Sequence, residues 1–504
     1  MMYGRDQSDV PVVAMKSANN AERSAAESME PRGATKGKAT TSTTRRPQDR
    51  GSVSPGLDRL RQFVRKNRKA RLTTLLHHVD VGLLRWSYLS LKRDAAAGVD
   101  GQTWRAYGES LEERLVDLHG RVHRGAHRAL PSRRRMIPKP DGRERPLGIA
   151  SIEDKIVQRA IVEVLNVIYE EEFLGFSYGF RPGRSQHDAL DALWVGISNT
   201  PVNWIVDADI RSFFDTVDHD WLMRFVEHRI ADRRIQRLIR KWLKSGVLEG
   251  TVLTASEVGT PQGAVISPLL ANIVLHYVFD LWVQQWRCRH AHGNVIVVRY
   301  ADDLVAGFEQ EDDAKAFLAE LRIRFEAFGL SLHPEKTRLI EFGRHATDDR
   351  STRGLGKPET FTFLGFIHIC GKSKRGKFLL WRKSPGDRMR AKLKAIKTDL
   401  RRKMHETTGV QGRWLRAVVM GYFNYHAVPT NTDALAAFRF QVLMLWHRTL
   451  RRRSQKDRTL LAKTVRLGEQ WLPMPRVLHP WPNQRFAVKY PRWEPSARIA
   501  PAGI

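Results

Sequence analysis

Acidic side chains end two apolar segments that lie far apart in the sequence. Asp302 and Asp303 interrupt the apolar run 295–308, where a turn would ordinarily recruit Gly or Asn. Asp207 and Asp209 end a second apolar run, and the side-chain period of a strand places both on one face. If the two strands pair in one sheet, three carboxylates converge at its edge.

A cluster of carboxylates is unfavourable unless cations neutralise it. Mg²⁺ prefers oxygen ligands and substrate phosphates, and two ions about 3.5–4 Å apart can clamp both oxygens of a phosphoryl transfer. Each Asp also has a simpler interpretation, because Asp pairs form turns and Asp209 alone could cap a helix. Asp215 and Asp218 fit the capping role better. The pattern therefore predicts a divalent-cation site for phosphoryl transfer.

Composition points to a polyanionic partner. The 504 residues predict roughly three domains and include 85 Lys and Arg against 54 Asp and Glu, a formal net charge of +31. Such a surface concentrates nucleic acid, although a basic scaffold has the same composition. Cys288 and Cys370 are too few for a Cys-rich zinc site. No apolar run approaches the ~18–20 residues that span a bilayer, so we expect a soluble protein in the cytoplasm.

Local patterns outline the elements that would position the carboxylates. The turn signal Pro140-Asp141-Gly142 predicts a hairpin rich in cations. Two apolar strands, 295–299 and 304–308, are predicted around a three-residue turn. Residues 386–465 have helical periodicity and many Lys and Arg, whereas the last forty or so residues look irregular.

Several motifs resemble those of reverse transcriptases. Tyr300-Ala301-Asp302-Asp303 is similar to their catalytic box, and Asp209 with Phe213-Phe214-Asp215 resembles the other palm carboxylate motif. Three further segments match in the expected order: 259–272, His333–Thr337 and Phe363–Phe366. An ordered set of this kind is far more specific than one short match.

A narrower resemblance is to the group II intron-encoded reverse transcriptases. Arg145–Ile149 and Tyr178–Pro182 resemble their fingers, and Gly98–Gly101 resembles an extra N-terminal block. The similarity runs from about residue 75 to 465.

The resemblance implies an α+β right-hand polymerase. Its predicted parts are a disordered basic tail (1–54), an N-terminal extension with fingers (55–205), a palm with an antiparallel sheet (206–382), a helical thumb and maturase domain (383–465) and a Pro/Trp/Arg-rich tail (466–504).

The resemblance also implies the site residues. Asp209, Asp302 and Asp303 ligate two Mg²⁺ ions, with Mn²⁺ as the substitute, and Ile210 completes the metal site. The implied nucleotide contacts are Lys139, Arg145, Phe214, Gln262 and Lys336; the implied primer and RNA contacts are Phe363, Leu364, Gly365, Arg388, Lys392, Arg401 and Arg402. Phe214 would exclude a ribose 2′-hydroxyl, although Phe213 could take that place.

The implied function is RNA-directed DNA synthesis combined with splicing of an intron RNA and with target-primed mobility. The implied partners are the group II intron RNA, an RNA template, a DNA primer or target, and deoxynucleoside triphosphates, with no membrane and with the oligomeric state open. Because neither Cys lies beyond residue 370, we expect no C-terminal endonuclease with its paired Cys.

Three alternatives stay open at this stage. A retron, diversity-generating or CRISPR-associated reverse transcriptase has the same chemistry, but the region 386–465 and the block near Gly98 favour the intron type. An RNA-binding splicing factor with an inactive palm is opposed by the intact carboxylates. A plain basic scaffold predicts no DNA synthesis at all.

Overall fold

The computed structural model describes residues 55–138, 144–249, 252–254, 258–260, 263–453 and 460–489. The backbone divides into a first unit, Met1–Ala189, Val206–Ala306 and Asp312–Arg338, and a second unit, Leu190–Ile205, Gly307–Glu311 and Leu339–Ile504. The predicted tail 1–54 and the predicted turn at 140–142 lie outside the described residues.

Helices supply most of the elements, in agreement with the predicted mixed fold. They are α1 (Pro55–Lys66), α2 (Val81–Ser90), α3 (Trp104–Gly108), α4 (Leu111–His123), α5 (Ile152–Tyr169), α6 (Gln186–Asn199), α7 (Phe213–Thr216), α8 (His219–Arg229), α9 (Arg233–Lys244), α10 (Ser267–Leu275), α11 (Leu281–Arg289), α12 (Glu311–Glu326), α13 (Ala346–Thr352), α14 (Gly386–Arg402), α15 (Thr408–His426), α16 (Thr432–Arg451), α17 (Leu461–Trp471) and α18 (Pro482–Lys489). No helix among the described residues is long and apolar enough to cross a membrane.

The strands are β1 (Ser132–Pro138), β2 (Glu144–Ile149), β3 (Trp204–Asp209), β4 (Val247–Glu249), β5 (Val252–Thr254), β6 (Val295–Tyr300), β7 (Asp303–Phe308), β8 (Arg338–Glu341), β9 (Phe361–Phe363), β10 (Phe366–Lys372) and β11 (Phe378–Lys383). They form sheets of order β2-β1-β4-β5, β6-β7-β3-β8 and β11-β10-β9. The predicted hairpin is confirmed, since β1 and β2 pair antiparallel with Arg133 opposite Ile149. β4 joins β1 in parallel, a long-range pairing that the sequence pattern did not reveal.

Local signals account for several boundaries. Asp218 caps α8, because its carboxylate accepts the Trp221 N–H at 2.9 Å. The apolar helix predicted from about 267 is interrupted by a π-helical segment, His276–Asp280, between α10 and α11. The expectation of an irregular C-terminal region is wrong in part, because Pro482 begins α18.

The second unit has its own helical core, which leaves its cations outside. Leu415, Phe438 and Trp446 are fully buried between α15 and α16. Ile396 and Leu400 anchor α14 on this core. The predicted RNA contacts on α14 are exposed: Arg388, Lys392, Arg401 and Arg402. Amphipathic burial therefore gives α14 a cationic outer face.

A buried histidine in the second unit makes folding sensitive to acid. His368 is fully buried and its ring stacks on Phe361 with centroids 4.7 Å apart. Burial, and then the charge of Arg382, lower the pKa of His368 to about 3. Between about pH 6.5 and pH 3, His368 is therefore mostly protonated in the unfolded chain and mostly neutral in the folded chain.

We predict that His368→Phe reduces the acid sensitivity of folding. In the wild type, protonation of His368 in the unfolded chain lowers the free energy of unfolding as the pH falls from about 6.5 toward 3. The loss should be roughly 2–3 kcal/mol between pH 6.5 and 4.5. Urea unfolding of the wild type and the variant at these two pH values measures the difference. The matched control is His405→Phe at an exposed position, which should retain the wild-type slope. Equal slopes for all three proteins would contradict the assignment.

Candidate active site

The two acidic strand ends are brought together by the order of the strands. Asp209 is the last residue of β3 and Asp303 the first residue of β7, and these strands are neighbours in one sheet. Asp302 occupies the turn between β6 and β7. The predicted pairing of the two acidic segments is thereby confirmed.

The carboxylates act on one another electrostatically. Burial, and then the charges of Asp302, Asp209 and Asp207, raise the pKa of Asp303 to about 7. Burial also raises the pKa of Asp207 to about 6, against the opposing effect of Arg338. Like charges raise the pKa of a carboxyl only at short range, so these groups share one environment.

Two cations from a neighbouring segment partly compensate this charge. Lys336 pairs with the Asp209 carboxylate, and Arg338 lies 3.6 Å from that of Asp207. This segment is hydrogen-bonded to the end of β3, because the His333 N–H donates to the Asp209 carbonyl at 2.7 Å. Ile210, the predicted companion of Asp209 in the metal site, is buried beside it. Lys336, a predicted nucleotide contact, therefore reaches the predicted metal ligands.

The donor chemistry of this edge fits Mg²⁺. Within the described ranges, no group of three or more His, Cys, Asp or Glu side chains is arranged to hold a metal ion. Yet Asp209 pairs with the ammonium group of Lys336, and burial, followed by the charges of the neighbouring carboxylates, raises the pKa of Asp303. Carboxylate oxygens are ligands that hard divalent cations prefer.

A buried arginine fixes the acidic turn. Arg299, the penultimate residue of β6, is fully buried and forms a two-pronged ion pair with Asp280 at 2.6 and 2.7 Å. Its guanidinium also donates to Asn272 at 2.9 Å, Ser177 at 2.7 Å and the Ala301 carbonyl at 3.2 Å. Ala301, which has a φ of +57°, precedes Asp302. The bond to Ala301 thus stabilises an unfavourable backbone conformation directly before the acidic pair.

A glycine allows a second strand-like segment to approach this turn. The Tyr178 N–H donates to the Arg299 carbonyl at 2.9 Å. A Cβ at Gly179 would lie 2.3 Å from the Ala301 nitrogen, which explains the Gly at this position. Asn272 donates to the Gly179 carbonyl at 2.7 Å. Hydrogen bonds and close backbone contact therefore hold this segment against the acidic turn.

The sequence alone did not single out Arg299, Asp280 and Asn272. A usable signal was present, because Asn272 and Asp280 are polar residues inside a largely apolar helical run. Buried polar groups require hydrogen-bonding partners, and Arg299, directly before Tyr300, is a candidate partner for both residues.

The predicted nucleotide contacts are only partly described. Phe213 is buried, whereas Phe214 is partly exposed, which favours Phe214 as the ring that a sugar would meet. The Thr260 N–H donates to the Phe214 carbonyl at 2.7 Å, so the loop that resembles a nucleotide-supporting motif is attached here. Lys139 and Gln262 lie outside the described residues, as does the Arg145 side chain.

Some of the predicted primer contacts meet in the second unit. The Tyr425 hydroxyl donates to the Leu364 carbonyl at 2.7 Å. Gly365 has a φ of +76°, and a Cβ there would lie 2.7 Å from the Arg388 guanidinium. Phe363 is buried in β9. The tight turn therefore places backbone groups beside the start of the cationic helix α14.

Comparison with known proteins agrees with this geometry. Residues 137–368 match the reverse transcriptase (RNA-dependent DNA polymerase) family. The protein YkfC of Escherichia coli K12 is 40% identical over 200 residues, which cover 39% of this chain and 52% of YkfC. The group II intron-encoded protein LtrA of Lactococcus lactis subsp. cremoris is 39% identical over 179 residues, or 35% of this chain and 29% of LtrA.

A longer match is an uncharacterized 91 kDa protein in the cob intron of Schizosaccharomyces pombe, 29% identical over 378 residues, or 62% of this chain and 45% of that protein. The matched region and these relatives support the resemblance to group II intron reverse transcriptases and maturases. The match to the reverse transcriptase family implies the right-hand polymerase fold that the motifs predicted. The matches span about half or less of the length of these relatives.

We predict that Arg299→Lys slows primer extension, the reaction of reverse transcriptases, more than it weakens nucleotide binding. A lysine is a point donor and cannot replace the planar fork that binds Asp280, Asn272 and Ala301 together. Single-turnover primer extension should slow by about 10- to 100-fold, because small misplacements of reacting groups carry such losses. The KM for deoxynucleotide should change little.

The control for this variant is Arg229→Lys. Arg229 is equally buried but pairs with Glu172 and with the Ala70 carbonyl. It should lower the melting temperature without a comparable loss of rate. If both variants lose rate in proportion to stability, Arg299 does not position the turn.

Proposed function

We propose that the chain is an RNA-directed DNA polymerase whose reaction takes place at Asp209, Asp302 and Asp303. The observation that supports this is the adjacency of β3 and β7, which brings the acidic strand ends Asp209 and Asp303 to one edge of a sheet. Two Mg²⁺ ions, or Mn²⁺ in their place, would there neutralise the phosphates and activate the 3′-hydroxyl of a primer.

The protein's own groups would position the substrates. Lys336, which pairs with Asp209, would exchange this carboxylate for a triphosphate oxygen when a nucleotide binds. The ring of Phe214 would lie under the sugar and exclude a 2′-hydroxyl. Arg145, Lys139 and Gln262 are proposed as further nucleotide contacts on the basis of their motifs.

We further propose that the second unit binds a structured RNA. The exposed cations on α14 suit an A-form duplex, which proteins recognise by shape and backbone. LtrA is, by its name, encoded in a group II intron. The proposed partner is accordingly a group II intron RNA, whose splicing and target-primed mobility the protein would assist.

We predict that Asp302→Asn with Asp303→Asn abolishes primer extension. On an RNA template with deoxynucleotides and Mg²⁺, the rate should fall by more than about a thousandfold, because neutral amides replace the charged oxygens that stabilise the transition state. Extension of a labelled primer measures this. The same variant should leave splicing of the cognate intron largely intact.

The matched control for the double variant is Asp312→Asn, which removes a carboxylate from the exposed surface of α12. Equal loss of extension and splicing in a folded double variant would contradict a division of labour between the acidic turn and the RNA-binding surface. Wild-type protein that does not extend any primer would defeat the polymerase proposal itself.

We predict a steep dependence of RNA binding on salt. Log K should fall by roughly 0.7–0.9 for each phosphate contact per tenfold rise in salt concentration. Lys392→Gln with Arg401→Gln should make the slope shallower by roughly 1.4–1.8. Filter binding between 50 and 500 mM salt gives the slope. Lys66→Gln with Lys69→Gln is the control of equal charge change, and an identical slope for both pairs would argue against α14 as the binding surface.

A further inference from the structure

Phe180 combines a strained backbone with an exposed ring. Its φ is +58°, in the left-handed region that bulky L residues rarely adopt, and its side chain is 53% exposed. Exposure of an apolar ring to water does not stabilise the fold, and a glycine would adopt this backbone conformation without strain. Phe63 and Phe440 are comparably exposed, at 48% and 56%, but both lie within ordinary helices. Phe180 therefore occupies a position at which folding alone favours another residue.

The chain on both sides of Phe180 is held firmly. On one side, Gly179 packs against Ala301 and accepts a hydrogen bond from Asn272. On the other side, Arg181 is buried and donates to the Leu174 and Ser177 carbonyls at 2.7 Å each and to Glu170. The surrounding structure thus imposes the left-handed conformation on Phe180. Strain of this kind concentrates at functional sites.

The ring lies beside the acidic turn. Its centroid is 6.5 Å from that of Tyr300, and the two rings are inclined at 45°. Tyr300 ends β6 and is followed by Ala301 and Asp302. Two aromatic side chains therefore provide an apolar surface next to the position where a primer end would react.

We propose that Phe180 contacts nucleobases at the 3′ end of the primer–template duplex and, with Tyr300, holds that end against the acidic turn. This inference rests on the proposed polymerase function. A nucleobase suits the site because every base has an apolar face and an aromatic ring binds it with little regard to sequence. A polymerase that copies any template needs this tolerance. The strained backbone is then the means by which the ring is presented outward at a fixed place.

The test uses the opposite effects of one substitution on stability and on binding. Phe180→Gly should raise the urea midpoint of unfolding, because glycine adopts the left-handed conformation without strain. The same substitution should weaken primer–template binding about tenfold, within the range measured for loss of one base–aromatic contact. Fluorescence anisotropy with a labelled primer–template, without nucleotide, measures the affinity. Duplexes that end in each of the four base pairs should lose affinity to a similar extent.

Two further variants separate contact from structure. Phe180→Tyr should retain wild-type affinity, whereas Phe180→Leu, which keeps an apolar side chain, should lose most of it. Phe63→Leu, at an exposed helical position in α1, should bind like the wild type. If Phe180→Gly loses stability together with affinity, or keeps its affinity within twofold, the inference is wrong.

The experiment also distinguishes this inference from the proposed function. Binding is measured without catalysis, so a wild type that extends primers while Phe180→Gly binds normally overturns only the role of Phe180. A wild type that neither binds nor extends a primer–template overturns both.

Discussion

The buried ion pair between Arg299 and Asp280 is the interaction on which the arrangement of the acidic turn depends. Both side chains are fully buried, so removal of either leaves an uncompensated charge in the interior, which typically costs about 3–5 kcal/mol. The pair is tolerated because each further guanidinium donor has a partner, including Asn272. A satisfied network of this kind rigidifies its surroundings and specifies one geometry. The π-helical turn that contains Asp280 is part of that geometry.

A fixed turn keeps the neighbouring carboxylates close together, so that their mutual repulsion is compensated only in part. Carboxylates on a flexible loop would move apart, but Asp302 and Asp303 follow a backbone that is fixed by hydrogen bonds. The repulsion therefore remains, and it contributes to the raised pKa of Asp303. Lys336 pairs with Asp209 and compensates its charge. In the proposed polymerase, divalent cations would neutralise the charge of these carboxylates.

The sequence revealed the parts of the site that depend on local pattern. Apolar runs of strand length predicted β3, β6 and β7, and the acidic residues at their ends predicted the shared edge. What could not be predicted depends on distant partners, as in the bond from Arg299 to Ser177, 122 positions away. The motif favoured Phe214 over Phe213, and the difference in burial between these neighbouring rings could not be predicted from the sequence.

The same network that fixes the acidic turn also fixes Phe180, and this shared support has a consequence for copying. Asn272 donates to the Gly179 carbonyl and accepts from Arg299, so one amide joins the two segments. An error in the position of either segment would displace the other equally, and their relative placement would be preserved. A reacting primer end needs such a fixed relation between the group that holds its base and the carboxylates near its 3′-hydroxyl, since reaction rates fall steeply with misplacement of about 1 Å.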